Sequence, residues 1–325
     1  MPSWFDDDSG SDSGSSSSSL SVDDSQLNHR LSPNWERYRN ILEYRGFHLD
    51  TVNDVKLFYE SRRQVASSSV LQDPWGYSRA CALSEGNALC RDPGLPDNLF
   101  RGCHLKDRTK IIVKAVHLRS REYEITRLLS SLSLRNDPMN HCIPVLDFIE
   151  VEEDNIAFIV MEEWSPQLLP GAPCCLKVFL QALRSCIEHV AFMHRHSIAH
   201  LDLSLTNLVT DYKGHYACID YELSLRFDGA SHPQVCGIRG TELPPELERG
   251  GCSDPFKVDI WALGVLILKA SYLTGKLCPQ LTPLTNIMLN DDQDRRPTAM
   301  EALSMFDTAI STIDNTRLHD CISFS

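Results

Sequence analysis

Lys114, Asp202, Asn207 and Asp220 all sit inside apolar runs, and any fold this chain adopts must give them partners. Lys114 stands in IIVKAV (111–116), Asp202 and Asn207 in HLDLSLTNLV (200–209), and Asp220 in CIDYEL (218–223). A charge removed from water without a counter-charge, a metal or hydrogen bonds strongly destabilises a fold. Each residue also has a bland reading. A strand lysine usually points to solvent, and a single aspartate usually caps a helix or closes a turn. The order lysine, aspartate, asparagine, aspartate along one chain makes those readings less attractive together.

The segments around them set the fold class. KIIVKAVHL (110–118) and NIAFIVMEEW (155–164) are β-branched and apolar enough for buried strands. REYEITRLLSSL (121–132) predicts a helix with Ile125, Leu128, Leu129 and Leu132 on one face. Helical spacing also marks WERYRNILEYRGFHL from Trp35, with Gly46 as its stop, LKVFLQALRSCIEHVAFMHRHSI (176–198) and KVDIWALGVLILKA (257–270). Ser, Gly and Pro cluster over 65–100 and suggest short strands and loops. HYACIDYELS (215–224) contains a further short strand. The first half mixes strands with helix, and the second is mostly helical. This is an α+β pattern, long enough at 325 residues for one large domain or two modest ones.

Composition narrows the partners. A net charge of −13 with no Lys/Arg stripe argues against nucleic acid or an anionic membrane. The most apolar stretch, IWALGVLILKASYL (260–273), is too short to span a bilayer and carries Lys269. MPSWFDDDSG lacks the features of a secretory leader, so a cytoplasmic or nuclear setting with reduced thiols is the expectation for the 12 cysteines. His196 and His200 lack further ligands at metal spacing and read as structural. Residues 1–30 are Ser/Asp-rich and predict a disordered, solubilising tail, whose serines beside aspartates would also suit an acid-directed kinase.

Phosphoryl transfer from ATP needs a cation on the phosphates, oxygens on Mg2+, and a carboxylate that orients the incoming hydroxyl. Lys114, Asn207 with Asp220, and Asp202 supply these parts in that order. A glutamate on the helix after the lysine strand would pair with Lys114. Glu122 and Glu124 are both available; Glu124, one turn before Leu128, flanks the expected buried face and is favoured, with Glu122 at the surface.

These segments resemble eukaryotic protein kinases. IIVKAV is similar to their V-A-I-K strand, HLDLSLTN to H-R-D-x-x-x-x-N, and DYE to D-F-G. GTELPPE (240–246) resembles the segment ending in A-P-E, DIWALG (259–264) the D-x-W-x-x-G helix, and DRRPTAMEAL (294–303) the closing arginine element. The block W-x-x-Y-R…RGFHL is similar to kinase-like proteins expanded in fungi. The resemblance covers roughly residues 95–305 and implies a two-lobed kinase-like fold, with a small β-rich lobe over 96–163 and a larger helical lobe over 164–310. Residues 31–95 would form an extension and a degenerate start of the small lobe, and 311–325 a tail.

The resemblance also implies roles. Lys114, held by Glu124, would anchor the ATP phosphates, Asn207 and Asp220 would bind Mg2+, and Asp202 would orient a Ser/Thr hydroxyl. Adenine would lie near Met161, Glu162, Glu163 and Trp164. Glu246 would pair with Arg296, Asp259 would brace the loop backbone, and His200 would be structural.

The pattern breaks in informative places. No G-x-G-x-x-G precedes Lys114, and Gly86, Gly94 and Gly102 are dispersed. Leu201 replaces the arginine that receives an activation-segment phosphate. Ser204 and Thr206 supply no cation where the family places a lysine, and Glu222 replaces the glycine of D-F-G. These losses leave two alternatives beside a slow or specialised protein kinase. One is a catalytically weak pseudokinase scaffold. The other, suggested by H-x-D-x-x-x-x-N with I-D-x-E, is a phosphotransferase acting on small alcohols, similar to aminoglycoside and choline kinases. The substrate or partner is not readable from the sequence.

Overall fold

The computed structural model describes residues 27–65, 82, 85–166 and 175–319. Residues 1–26, most of the predicted tail, lie outside them. Residues 27–30 do not behave as tail: Asn28 Oδ1 accepts from the Arg121 N–H at 2.9 Å, and Arg30 pairs with Glu222 at 3.2 Å.

The small lobe begins with α1 (Trp35–Tyr44), which stops where Gly46 adopts φ 90°, a left-handed conformation open to glycine. Beyond that stop, FHL forms β1 (Phe47–Leu49). A helix, α2 (Val52–Val65), follows, and much of the 65–100 segment expected to form short strands and loops lies outside the described residues. Then come β2 (Leu99–His104), β3 (Lys110–His117), α3 (Arg121–Leu129), β4 (Val145–Val151) and β5 (Ile156–Glu162). The strands form one five-stranded sheet in the order β1-β2-β3-β5-β4, with antiparallel neighbours.

Period-two alternation divides β3 between two faces. Ile111, Val113 and Ala115 join the core that α1 covers with Trp35, Tyr38 and Leu42. Trp35 lies 5.3 Å from Phe100 and 5.7 Å from Phe158, ring centre to ring centre. Burying side chains of this size stabilises by about 1.5–3 kcal/mol each, so α1 is part of the lobe rather than an appendage. Val116, on the other face, packs with Tyr123 of α3, and Lys114 shares that face.

The large lobe is built on α4 (Leu176–Arg195) and, after several short strands, α6 (Pro255–Thr274), α7 (Thr282–Met288) and α8 (Ala299–Ser311). Leu180, Ile187, Ile260, Leu263, Met288 and Phe306 lie in their common core. Short antiparallel pairs hold the connecting loops: β6 (Ile198–Ala199) with β9 (Leu225–Arg226), β7 (Leu208–Thr210) with β8 (Tyr216–Cys218), and β10 (Val235–Cys236) with β11 (Cys252–Ser253). The four-residue helix α5 (Pro245–Glu248) precedes β11. Only 3-10 and loop structure separates α6 from α7.

A disulfide joins Cys236 to Cys252 across β10 and β11, where reduced thiols were expected. Antiparallel pairing sets the two residues directly opposite one another, with their Cα atoms 4.4 Å apart, within bridging range. Among the described residues no helix is long and apolar enough to cross a membrane.

Candidate active site

The loop from His200 to Asn207 runs between β6 and β7, and Asp220 lies between β8 and β9, so two short antiparallel strand pairs fix both segments. The Ile219 N–H donates to the Asn207 carbonyl at 3.0 Å and ties them together.

Lys114 reaches across the lobes. Its Nζ lies 2.8 Å from Glu122 Oε1 and 2.9 Å from Asp220 Oδ1. Burial opposes the Lys114 charge, but Glu122 and Asp220 together outweigh it and raise the lysine above its ordinary value, so it stays protonated. Burial likewise pushes the Asp220 carboxyl up, while Lys114 and Arg30 pull harder and hold it below the usual carboxylate range. Glu122 goes the other way: burial raises it in spite of Lys114. Its Oε2 is buried and has no hydrogen-bond partner among the described residues.

Glu122, not Glu124, therefore holds Lys114. Glu124 is exposed on the opposite face of α3. Ser120 caps the helix, accepting from the Tyr123 N–H, and the buried stripe runs through Glu122, Ile125, Thr126 and Leu129. Thr126 is buried although polar, Leu128 is half-exposed, and Leu132 lies beyond the helix end and 76% exposed. The readable signal was Glu122 three residues before Ile125 and seven before Leu129.

Asp202 is held from two sides. Asn207 Nδ2 donates to its Oδ2 at 3.0 Å and to its carbonyl at 2.9 Å, and the Thr241 N–H donates to its Oδ1 at 2.7 Å. Because Asn207 spends its amide nitrogen on Asp202, its amide oxygen is the atom left to bind a cation. His200 is fully buried with its pKa lowered, chiefly by burial; its Nδ1 accepts from the Asp202 N–H at 3.3 Å.

Asp259 braces this loop from α6. It accepts from the N–H groups of His200 and Leu201, each at 2.8 Å, and sits 2.9 Å from His194 Nε2. Leu201 adopts φ 63°, a left-handed conformation costly for leucine, which the Asp259 bond and burial enforce. His194 was missed in the sequence because a histidine near a helix end carries no pattern of its own. Arg296 and Glu246 form a two-pronged pair at 2.7 and 2.8 Å, with the Arg296 guanidinium 4.9 Å from the Trp261 ring centre. This contact ties α5 to the turn before α8.

The strand-to-lobe connection contains Met161 and Glu162 at the end of β5, then Glu163 and Trp164. The Trp164 Nε1–H donates to Glu162 Oε2 at 3.0 Å, and the Trp164 ring joins Met161, Ile143 and Val209 in an apolar cluster.

The pattern's departures have structural counterparts. Leu201 packs with Val235, Leu247 and Val258, so apolar contact stands where a phosphate-binding arginine would reach. Ser204 Oγ and Thr206 Oγ1 bond each other at 2.7 Å. Gly102 serves strand pairing rather than a phosphate lid: a Cβ there would sit 2.2 Å from the His48 carbonyl oxygen of β1.

The model of the protein kinase domain matches residues 98–278. The chain belongs to the protein kinase family. Among curated relatives, this chain is 27% identical over 215 residues to sperm motility kinase Z of Mus musculus, covering 56% of this chain and 40% of that one. It is 26% identical over 289 residues to the probable serine/threonine-protein kinase CCRP1 of Zea mays, covering 78% and 44%. CBL-interacting serine/threonine-protein kinase 15 of Arabidopsis thaliana is 36% identical over 104 residues, covering 30% and 23%. The chain thus spans less than half the length of these relatives. A protein kinase domain uses ATP and a divalent metal, and the donors present suit that metal. Asp220 and the Asn207 amide offer oxygen to a hard cation that takes few protein ligands and completes its shell with phosphate and water.

Proposed function

We propose that this kinase domain transfers the γ-phosphoryl group of Mg2+-bound ATP to serine or threonine hydroxyls of a protein substrate, slowly or on a narrow set of targets. The supporting observation is Lys114 bridging Glu122 and Asp220 while Asp202 and Asn207 stay bonded on a loop braced by Asp259. Keeping these contacts together is costly, since it buries Lys114 and Glu122.

In this mechanism Lys114 holds the α- and β-phosphates. Asp220 and the Asn207 oxygen would hold Mg2+, which would supply charge neutralisation of the phosphates when bound. Asp202, fixed by Asn207 and the Thr241 N–H, accepts the substrate hydroxyl's hydrogen bond and takes its proton as the new P–O bond forms and ADP leaves. Met161, Glu162 and Trp164 border the adenine position.

The bonded Ser204–Thr206 pair favours a second reading, a pseudokinase that keeps the fold as a scaffold, because no loop cation meets the transferring phosphate. Transfer to small alcohols draws support from Glu222, but the Glu246–Arg296 pair is a protein-kinase element and weighs against it.

Thermal unfolding with ATP, with and without Mg2+, tests the site. A ligand at a hundred times its Kd stabilises the native state by about 2.7 kcal/mol. The expected result is a Mg2+-dependent shift that Asp220→Ala abolishes. An unchanged shift in that variant would sink the assignment of Asp220.

A further inference from the structure

Two departures from the kinase pattern meet in one contact. The catalytic loop carries no cation, and an acid, Glu222, stands two residues after the metal aspartate. Arg30, 192 residues away in sequence, places its Nε 3.2 Å from Glu222 Oε2 and its Nη2 3.5 Å from Asp220 Oδ2. We propose that Arg30 is a phosphate-binding residue of the active site, supplied by the N-terminal segment in place of the missing loop cation and positioned by Glu222. This inference rests on the nucleotide-binding reading above.

The path of the segment supports it. From Ser32 to Trp35 the chain is fastened to the turn that enters β2: Ser32 Oγ bonds Asp97 Oδ2 at 3.0 Å, and Trp35 Nε1–H donates to the Asp97 carbonyl at 3.0 Å. On its other side Asn28 receives the first N–H of α3. Residues 27–30 therefore cross from the β2 entrance to α3, and together with Asn98, Lys114, Glu122 and Glu222 they line one cleft. Here the family pattern would place its glycine-rich lid. In this chain β1 ends at Leu49, opposite Gly102, and leaves the start of β2 without that partner.

The charges agree. Glu122, Asp202, Asp220 and Glu222 face Lys114 and Arg30, an acidic excess that would repel a triphosphate without the arginine. Burial works against the Arg30 charge, but Glu222, Asp220 and Asp202 outweigh it. The bond geometry favours a phosphate contact over a plug. Arg30 is hydrogen-bonded to Glu222 through Nε, whereas its approach to Asp220 is a longer ion pair without a hydrogen bond. With five N–H donors, a guanidinium anchored through Nε keeps its outer nitrogens for an incoming oxyanion. Its side chain is 57% exposed, so a ligand can reach it.

The test is calorimetric binding of ATP, ADP and adenosine with Mg2+ to the full chain, as wild type, Arg30→Ala, Arg30→Lys and Asp220→Ala. Losing a charge-assisted contact should weaken ATP binding roughly tenfold or more in Arg30→Ala. ADP should lose less, adenosine nothing, and Arg30→Lys should retain part of the ATP affinity. Tighter ATP binding in Arg30→Ala would overturn the proposal and mark Arg30 as a block on the metal site. Equal losses for adenosine and ATP would overturn it as a folding effect. If wild type binds ATP, Asp220→Ala does not, and Arg30→Ala matches wild type, this inference alone fails. If wild type binds no ATP, the nucleotide-binding reading falls with it.

Discussion

Glu122→Gln and Glu124→Gln make a matched pair of perturbations on one helix, differing in what the carboxylate touches. In Glu122→Gln the carbonyl oxygen can keep the 2.8 Å contact to Lys114, but the bond loses its ionic character. The new amide nitrogen also replaces Oε2, which is buried and has no partner among the described residues. A charged hydrogen bond is worth about 1.5–3 kcal/mol against about 0.5–1.5 for a neutral one, and an unpaired buried donor costs about 1–3. Relief of carboxylate burial acts in the opposite direction, and Lys114 keeps Asp220 at 2.9 Å as counter-charge. The net expectation is destabilisation of about 2 kcal/mol, together with weaker Mg2+–ATP binding. Glu124→Gln, on an exposed position, should stay within about 0.5 kcal/mol and leave binding unchanged. Urea denaturation of both variants, followed by nucleotide titration, reads the difference. Equal effects, or a larger loss in Glu124→Gln, would refute the assignment of the buried stripe.

Acid should destabilise the protein before its carboxylates titrate. His189 and His200 are fully buried with pKa values below the ordinary 6.5, and His189 Nδ1 accepts from the His141 N–H at 3.1 Å, a bond that protonation removes. The unfolded chain then binds more protons than the native one around and below pH 6.5, so stability falls as pH drops from there, with a limiting slope of about 1.4 kcal/mol per unit for each such histidine. Denaturation midpoints from pH 7 to 5 should show this slope, and a flat profile would contradict it. The Cys236–Cys252 bridge spans 16 residues, and closing a loop of that length stabilises by about 3 kcal/mol. Cys236→Ser should therefore lower stability under oxidising conditions and match wild type under reducing ones. A difference that persists in reductant would assign the loss to packing.

The segments of the candidate site were legible in the sequence because their polar residues interrupt apolar runs. Asp202, Asn207 and Asp220 need partners, and they find them in each other, in Lys114 and Arg30 and in the backbone. The helix face was misread for a physical reason: Thr126 is polar yet 2% exposed, and it disguised the stripe to which Glu122 belongs. Arg30 was invisible for another reason. No local pattern marks a residue whose partners lie 190 and 192 positions further on, and its Ser/Asp-rich neighbours resemble a solvated tail. The disulfide was hidden too, since nothing in the spacing of Cys236 and Cys252 shows that β10 and β11 pair.

The connection between β1 and β2 has a consequence for how such a domain is built. Its base is stitched by Asp50 N–H to the Arg101 carbonyl at 2.9 Å, Cys90 N–H to the Asp50 carbonyl at 2.9 Å and Val52 N–H to the Ala88 carbonyl at 3.0 Å. A polypeptide leaving the sheet at Asp50 therefore returns beside its own point of departure. Loop closure grows more costly only slowly with length, so this junction tolerates cargo of very different sizes. The junction at Asp50 and Cys90 is thus a natural graft point. A foreign module spliced between residues 53 and 86 would leave the register of β1 on β2 unaltered.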